Sequence, residues 1–87
     1  MSLHILNSPA SLNRCRFSLN DGDAIILIEN AVLLAASSLP LAHTNITTSA
    51  LQDDLDRRGI TPAPEINTVD YAGFVNLCAQ HAHCLSW

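Results

Sequence analysis

The stretch Asp21-Gly22-Asp23-Ala24-Ile25-Ile26-Leu27-Ile28-Glu29-Asn30 decides how the chain is read. A turn signal, Asn20-Asp21-Gly22-Asp23, runs into an unbroken apolar segment that stops at Glu29 and Asn30. Consecutive apolar side chains, rich in isoleucine and without alternation, predict a strand over Ala24–Glu29 covered on both faces, as at the centre of a parallel sheet. In such sheets chemistry gathers at the carboxyl ends of strands. Glu29 and Asn30 lie at that end and are the first candidates for a site. Their plain alternative is the start of a solvated loop that caps the next helix.

Upstream, Leu3-His4-Ile5-Leu6 reads as a first strand. Ser8 before Pro9 suits a helix N-cap with proline at the first helical position. Ala10–Leu19 then carries Leu12, Cys15, Phe17 and Leu19 as an imperfect helical stripe. Downstream, the Ala- and Leu-rich run Ala31–Ser38 predicts a helix stopped near Pro40. Leu41–Ser49 has little apolar density, although Ile46-Thr47-Thr48 has strand propensity. Leu51–Arg58 reads as a short helix with acids early, Arg57 and Arg58 late and Gly59 as its stop, an order that complements the helix dipole. Glu65–Val69 is a short strand, Asp70 caps a helix over Tyr71–Gln80, and His83–Trp87 is a last strand. The helix presents Phe74, Val75, Leu77 and Cys78 as its apolar face. Alternating strands and helices predict an α/β fold of three layers, α/β/α, with a mostly parallel four- to five-stranded sheet in one domain spanning residues 1–87.

The chain is 48% hydrophobic and only 14% charged over 87 residues, with a positive mean hydropathy. A chain this short buries only roughly 60–65% of its unfolded surface. The surplus apolar area therefore points to burial against another subunit. The formal net charge is −4, and all four cations are arginines. An acidic chain without a basic stripe is a poor candidate for direct nucleic-acid binding. No apolar run approaches the ~20 residues that span a bilayer. The amino terminus lacks a basic segment followed by a long apolar one. A cytoplasmic protein without membrane association is expected.

Several stretches, in order, resemble the TusB/DsrH family of sulfur-relay proteins. They are Leu3-His4-Ile5-Leu6 with its Ser8-Pro9 turn, Gly22-Asp23-Ala24 with the apolar strand ending in an acid, and Asp54-Leu55 with Arg58-Gly59-Ile60. Val69-Asp70-Tyr71 with Phe74-Val75 and Leu77, and the terminal Ser86-Trp87, complete the series. The chain departs from the family pattern at Asn30-Ala31, where Asp-Gly is usual, and in a shortened, polar stretch before Leu51. The resemblance implies a small subunit that assembles with DsrE-like (TusD-like) and DsrF-like (TusC-like) partners into a hetero-oligomer. It implies a persulfide relay ending in 2-thiolation of wobble uridine in tRNA or, in the Dsr branch, serving dissimilatory sulfur oxidation. The principal persulfide cysteine belongs to the DsrE-like partner, which makes this chain a non-catalytic or accessory subunit. Some DsrH-type members also carry a cysteine in the first helix shortly before the glycine turn, and Cys15 holds that place relative to Gly22.

Cys15 is accordingly the candidate accessory persulfide carrier, flanked in sequence by Arg14 and Arg16, although neighbours at i±1 face different ways on a helix. Its plain alternative is a small apolar residue packing the helix on the sheet. Cys78 and Cys84 are expected to pack, and a disulfide between them is disfavoured in a reducing cytosol. Cys78, His81, His83 and Cys84 invite a zinc reading, but their spacing matches no common module, so neither metal nor cofactor is expected. His4 is expected to be a buried imidazole bonded to neighbouring backbone. Trp87 is expected to anchor an interface or the core. A stand-alone self-associating module and a small metal-binding protein are the competing readings.

Overall fold

The computed structural model describes residues 1–37, 39 and 45–87. The sequence-predicted central strand is central. Among the described residues, β1 (Ser2–Leu6), β2 (Ala24–Leu27), β3 (Thr47–Leu51), β4 (Asn67–Val69) and β5 (His83–Ser86) form one sheet in the order β4-β3-β2-β1-β5. Every pairing is parallel, with Leu3, His4, Ile5 and Leu6 opposite Ala24, Ile25, Ile26 and Leu27. All four residues of β2 are buried, because helical segments close both faces of the sheet.

Strand alternation sorts the core into two layers. Leu6, Ile25, Leu27 and Ala50 point to one face, where α1 (Ser11–Cys15), two 3-10 segments and α2 (Gln52–Arg58) supply Leu12, Cys15, Val32 and Leu55. Leu3, Ala24 and Ile26 point to the other, where α3 (Tyr71–Gln80) lays Phe74, Leu77 and Cys78. The result is a three-layer α/β/α fold. The chain walks from β1 to β4 with its connections on one face, then returns to β5 through α3 on the other, as right-handed crossovers require.

Local signals set most element ends. Gly22 (φ +88°) turns the chain into β2, and Met1 Sδ would lie 2.8 Å from any Cβ placed there. Gly59 closes α2 in the left-handed conformation, at φ 63°. Asp70 caps α3, accepting from the Gly73 N–H at 2.8 Å.

Three local expectations fail for identifiable reasons. Ser8 is not an N-cap: α1 begins at Ser11 behind Ala10, with no side-chain cap, and the Ser8 carbonyl accepts from Ser11 N at 3.1 Å. Pro9 sits in the entry turn, outside the helix. The helix read over Ala10–Leu19 tightens into a 3-10 segment at Arg16–Ser18, which rotates Phe17 off the buried stripe and leaves it 83% exposed. The segment read as the helix Ala31–Ser38 is a 3-10 helix over Glu29–Ala36. Glu29 therefore opens that helix, and β2 ends at Leu27. Residues 38 and 40–44, the end of that helix reading and part of Leu41–Ser49, lie outside the described residues. From Thr47 that stretch enters β3, which runs on through Leu51, with Thr48 and Ser49 buried despite their polarity.

Candidate functional site

Glu29 and Asn30 meet α2 at the carboxyl end of β2. Asp54, buried in the first turn of α2, accepts from the Glu29 N–H at 2.7 Å. Its other oxygen accepts from Arg57 Nη1 at 2.9 Å and lies 3.5 Å from Arg58 Nη1. Arg58 also donates to Asn30 Oδ1 through Nε at 3.1 Å and Nη2 at 3.0 Å. The buried carboxylate thus fixes the main chain of one candidate residue, while Arg58 fixes the side chain of the other. Glu29 itself has φ 51°, a left-handed conformation unusual for a residue with a Cβ. Its side chain is exposed. Glu29→Gly therefore stabilises the fold by about 1 kcal/mol, read as a higher thermal midpoint; a lower midpoint would show that the carboxylate makes a contact the strain supports.

The fold's own crevice lies elsewhere. The connection leaving β3 goes to the α1/α2 face and the one leaving β4 to the α3 face, so the topological switch falls between the carboxyl ends of β3 and β4, where open α/β sheets bind ligands. An open crevice of about 410 Å³ lies there, lined by Gln52, Thr68, Val69, Asp70 and Gly73. The switch lies one strand away from Glu29 and Asn30, and α2 packs at the end of β2. No lysine or arginine lines the crevice, and Asp70 is committed to capping α3.

At the amino ends of β1 and β2 a second buried polar group ties the chain together. Trp87 Nε1–H donates to His4 Nδ1 at 3.0 Å, so Nδ1 carries no proton and the neutral ring holds its hydrogen on Nε2. That nitrogen donates to Asp23 Oδ2 at 2.9 Å. Asp23 also accepts from Ser2 N at 2.8 Å and Asn20 N at 3.0 Å. Burial alone raises the Asp23 pKa, but the hydrogen bonds from Ser2, His4 and Asn20 outweigh it and hold the carboxyl below its ordinary 3.8. His4 is buried as expected, but its partners are side chains, not backbone. Trp87 stacks on the imidazole with ring centroids 6.0 Å apart, and its main-chain oxygen accepts from Ser11 Oγ at 2.8 Å and Arg14 Nη2 at 3.2 Å.

Cys15 lies fully buried under α1. Burial first, and the Asp23 charge second, push its thiol pKa up to about 11. Neither flanking arginine attends it: Arg14 reaches Ser11 and Trp87, and Arg16 lies 5.4 Å over the Phe17 ring. The C-terminal histidines diverge from the two cysteines beside them. His81 Nδ1 binds the Leu77 carbonyl at 2.7 Å, Cys84 turns toward α3, and His83 alternates to the opposite face of β5. Among the described residues no three His, Cys, Asp or Glu side chains gather as a metal ion would need. Sequence reasoning missed Asp23 and Asp54 as organisers. Signals existed: Asp23 follows the turn glycine, and Asp54 precedes Arg57 and Arg58 by three and four residues.

An all-parallel five-stranded sheet with its switch at β3/β4 defines a small α/β class with solved members. The crystal structure of the ychN protein from E. coli superposes with a TM-score of 0.73, covering 100% of this chain and 99% of that one at 12% identity. The solution structure of Tm0979 from Thermotoga maritima gives 0.67 at 24% identity, covering 92% and 93%. These likenesses concern the fold. The family model described as DsrH like protein matches residues 7–84, and the chain belongs to that family. Its relatives include Protein TusB of Pectobacterium parmentieri, 30% identical over 98% of this chain and 99% of that protein. Protein TusB of Enterobacter sp. (strain 638) is 36% identical over 79% of each. Membership makes the chain a sulfur-relay family member.

Proposed function

We propose that this chain is a non-catalytic or accessory subunit of a cytoplasmic sulfur-relay complex, assembled with DsrE-like (TusD-like) and DsrF-like (TusC-like) partners and feeding wobble-uridine 2-thiolation of tRNA. The observation that carries this reading is the match to proteins named TusB along most of the chain, at 30% and 36% identity. The chemistry of Cys15 supports the division of labour. A thiol with a pKa near 11 is ionised in on the order of one molecule in ten thousand at neutral pH, so the primary persulfide belongs on a partner. Exposed apolar side chains, Phe17, Leu33, Tyr71 and Val75 among them, supply area for such partners. Glu29 and Asn30 are proposed contact positions at the sheet's carboxyl end. Trp87 is the third, its half-buried ring offering the edge that His4 does not cover.

Deleting the gene and measuring 2-thiouridine in tRNA tests the reading, together with co-purification of the partners. Loss of thiouridine, restored by the intact chain, supports it; unchanged thiouridine overturns it. The DsrH-like match favours one second reading, a subunit serving dissimilatory sulfur oxidation. In that case deletion abolishes growth on reduced sulfur compounds and leaves tRNA untouched. A homo-oligomer indifferent to both partners would mark a self-associating module instead.

Cys15 is proposed as a carrier only within the assembled complex, where displacement of the exposed Phe17 segment opens the thiol. Mass spectrometry after persulfide loading is expected to find no added sulfur on Cys15 in the isolated chain and an added sulfur in the complex. Undiminished transfer by a Cys15→Ala complex removes the role.

A further inference from the structure

The seam between α3 and β5 holds two thiols that the relay reading leaves unused. Leu3 pairs with Cys84, so Cys84 faces the side of the sheet that α3 covers. Cys78, near the end of α3, packs on the same layer. The Cys84 Sγ–H donates to the Cys78 carbonyl at 3.7 Å, which holds the Cys84 thiol against the residue that carries the second one. Both are free, Cys84 exposed and Cys78 half-buried. His81, anchored on the Leu77 carbonyl, sets the turn that brings β5 back beside the helix end.

We propose that Cys84 and Cys78 form a dithiol site that reduces small persulfides to sulfide, with Cys84 attacking first and Cys78 resolving. The order follows from access, since Cys84 meets solvent and Cys78 is shielded by α3. Burial foremost, and the neighbouring Cys84 after it, push the Cys78 pKa up. Once ionised, a thiol of higher pKa is the stronger nucleophile.

In the first step the Cys84 thiolate attacks the outer sulfur of R–S–SH. A bond forms between that sulfur and Cys84 Sγ, the S–S bond of the reagent breaks, and R–S⁻ leaves and takes up the proton that Cys84 lost. In the second, Cys78 gives up its proton and attacks Cys84 Sγ. The Cys78–Cys84 bond forms, and the terminal sulfur departs as HS⁻, which takes that proton. One persulfide and two thiols become one thiol, one disulfide and one hydrogen sulfide; the outer sulfur is reduced by the two electrons the cysteines lose. Cys84 Sγ starts 3.7 Å from the Cys78 carbonyl, and the second step brings the two sulfurs to the ~2.05 Å of a disulfide. Low-molecular-weight thiols then reopen the pair by exchange.

The test mixes the reduced chain with glutathione persulfide under anaerobic conditions and follows sulfide release and peptide mass. One equivalent of sulfide with a Cys78–Cys84 disulfide is expected. Cys84→Ser gives neither, while Cys78→Ser retains an extra sulfur on Cys84 and releases sulfide at least about tenfold more slowly. Sulfide release from Cys78→Ser at the parent rate, or no disulfide in the parent, overturns the proposal. The unmutated chain gives a check free of folding defects: alkylation after denaturation finds Cys78 and Cys84 blocked and Cys15 reactive, and blockage of Cys15 instead would also overturn it. Only the cellular source of persulfide rests on the sulfur-relay reading. Failure here leaves the partner experiment untouched, and failure there leaves this reaction standing.

Discussion

Replacing Asp23 with alanine lowers the free energy of unfolding by roughly 3–5 kcal/mol, because one buried and two partly buried donors lose their shared acceptor at once. Ser2 N at 2.8 Å, His4 Nε2 at 2.9 Å and Asn20 N at 3.0 Å all point at this carboxylate. A chain of this size is stable by only about 4–13 kcal/mol, so the loss is a large fraction. Asp23→Asn keeps one acceptor oxygen and is expected to lose less. The same carboxylate makes stability depend on pH. Its folded pKa is depressed below the ordinary 3.8, so the folded state binds fewer protons there than the unfolded chain. Its stabilisation is complete above the unfolded value and disappears as pH falls through the folded one. Urea midpoints measured across acid pH should decline in the parent below about pH 4 more steeply than in Asp23→Asn. Parallel curves would mean that Asp23 is not the responsible group.

Asp54→Ala is expected to cost about 2–4 kcal/mol at constant denaturant slope. Asp54 is nearly inaccessible, whereas Arg57 is mostly exposed, so little of that loss comes from the Arg57 pair itself. Most comes from the Glu29 N–H, bonded at 2.7 Å, and from Arg58 Nη1, which is buried without a hydrogen-bond partner and has Asp54 as its compensating charge. Hydrogen exchange at the Glu29 amide should accelerate in the variant by more than at neighbouring amides. Uniform acceleration would attribute the loss to α2 as a whole.

Elements with a local physical cause were legible in the sequence. The apolar run beginning at Ala24 had to be buried on both sides, and it lies at the middle of the sheet. Asp53 and Asp54 before Arg57 and Arg58, then Gly59, announced α2, and Asp70 announced α3. Where two local solutions compete, sequence reasoning chose the commoner one. Ala- and Leu-rich Ala31–Ala36 suits an α-helix, but the entry through Glu29 at positive φ leads into a 3-10 helix. The candidate site is half legible. Glu29 and Asn30 stand out because they end a strand pattern, and the residue that holds them, Asp54, does not, because it is 25 residues further on. His4, Asp23 and Trp87 meet only through tertiary structure, which no spacing rule reaches.

The bond from Trp87 to His4 spans 83 positions. During synthesis β1 can pair with β2 early, but its other edge stays bare until β5 has left the ribosome. Until then the imidazole has no indole over it, and Ser11 and Arg14 lack the oxygen they hold in the finished fold. Loop-closure entropy makes contacts of this range slow to form. The nascent chain therefore exposes an open strand edge until β5 emerges, the interval in which a chaperone or an early-docking neighbour would do most to keep it from aggregating.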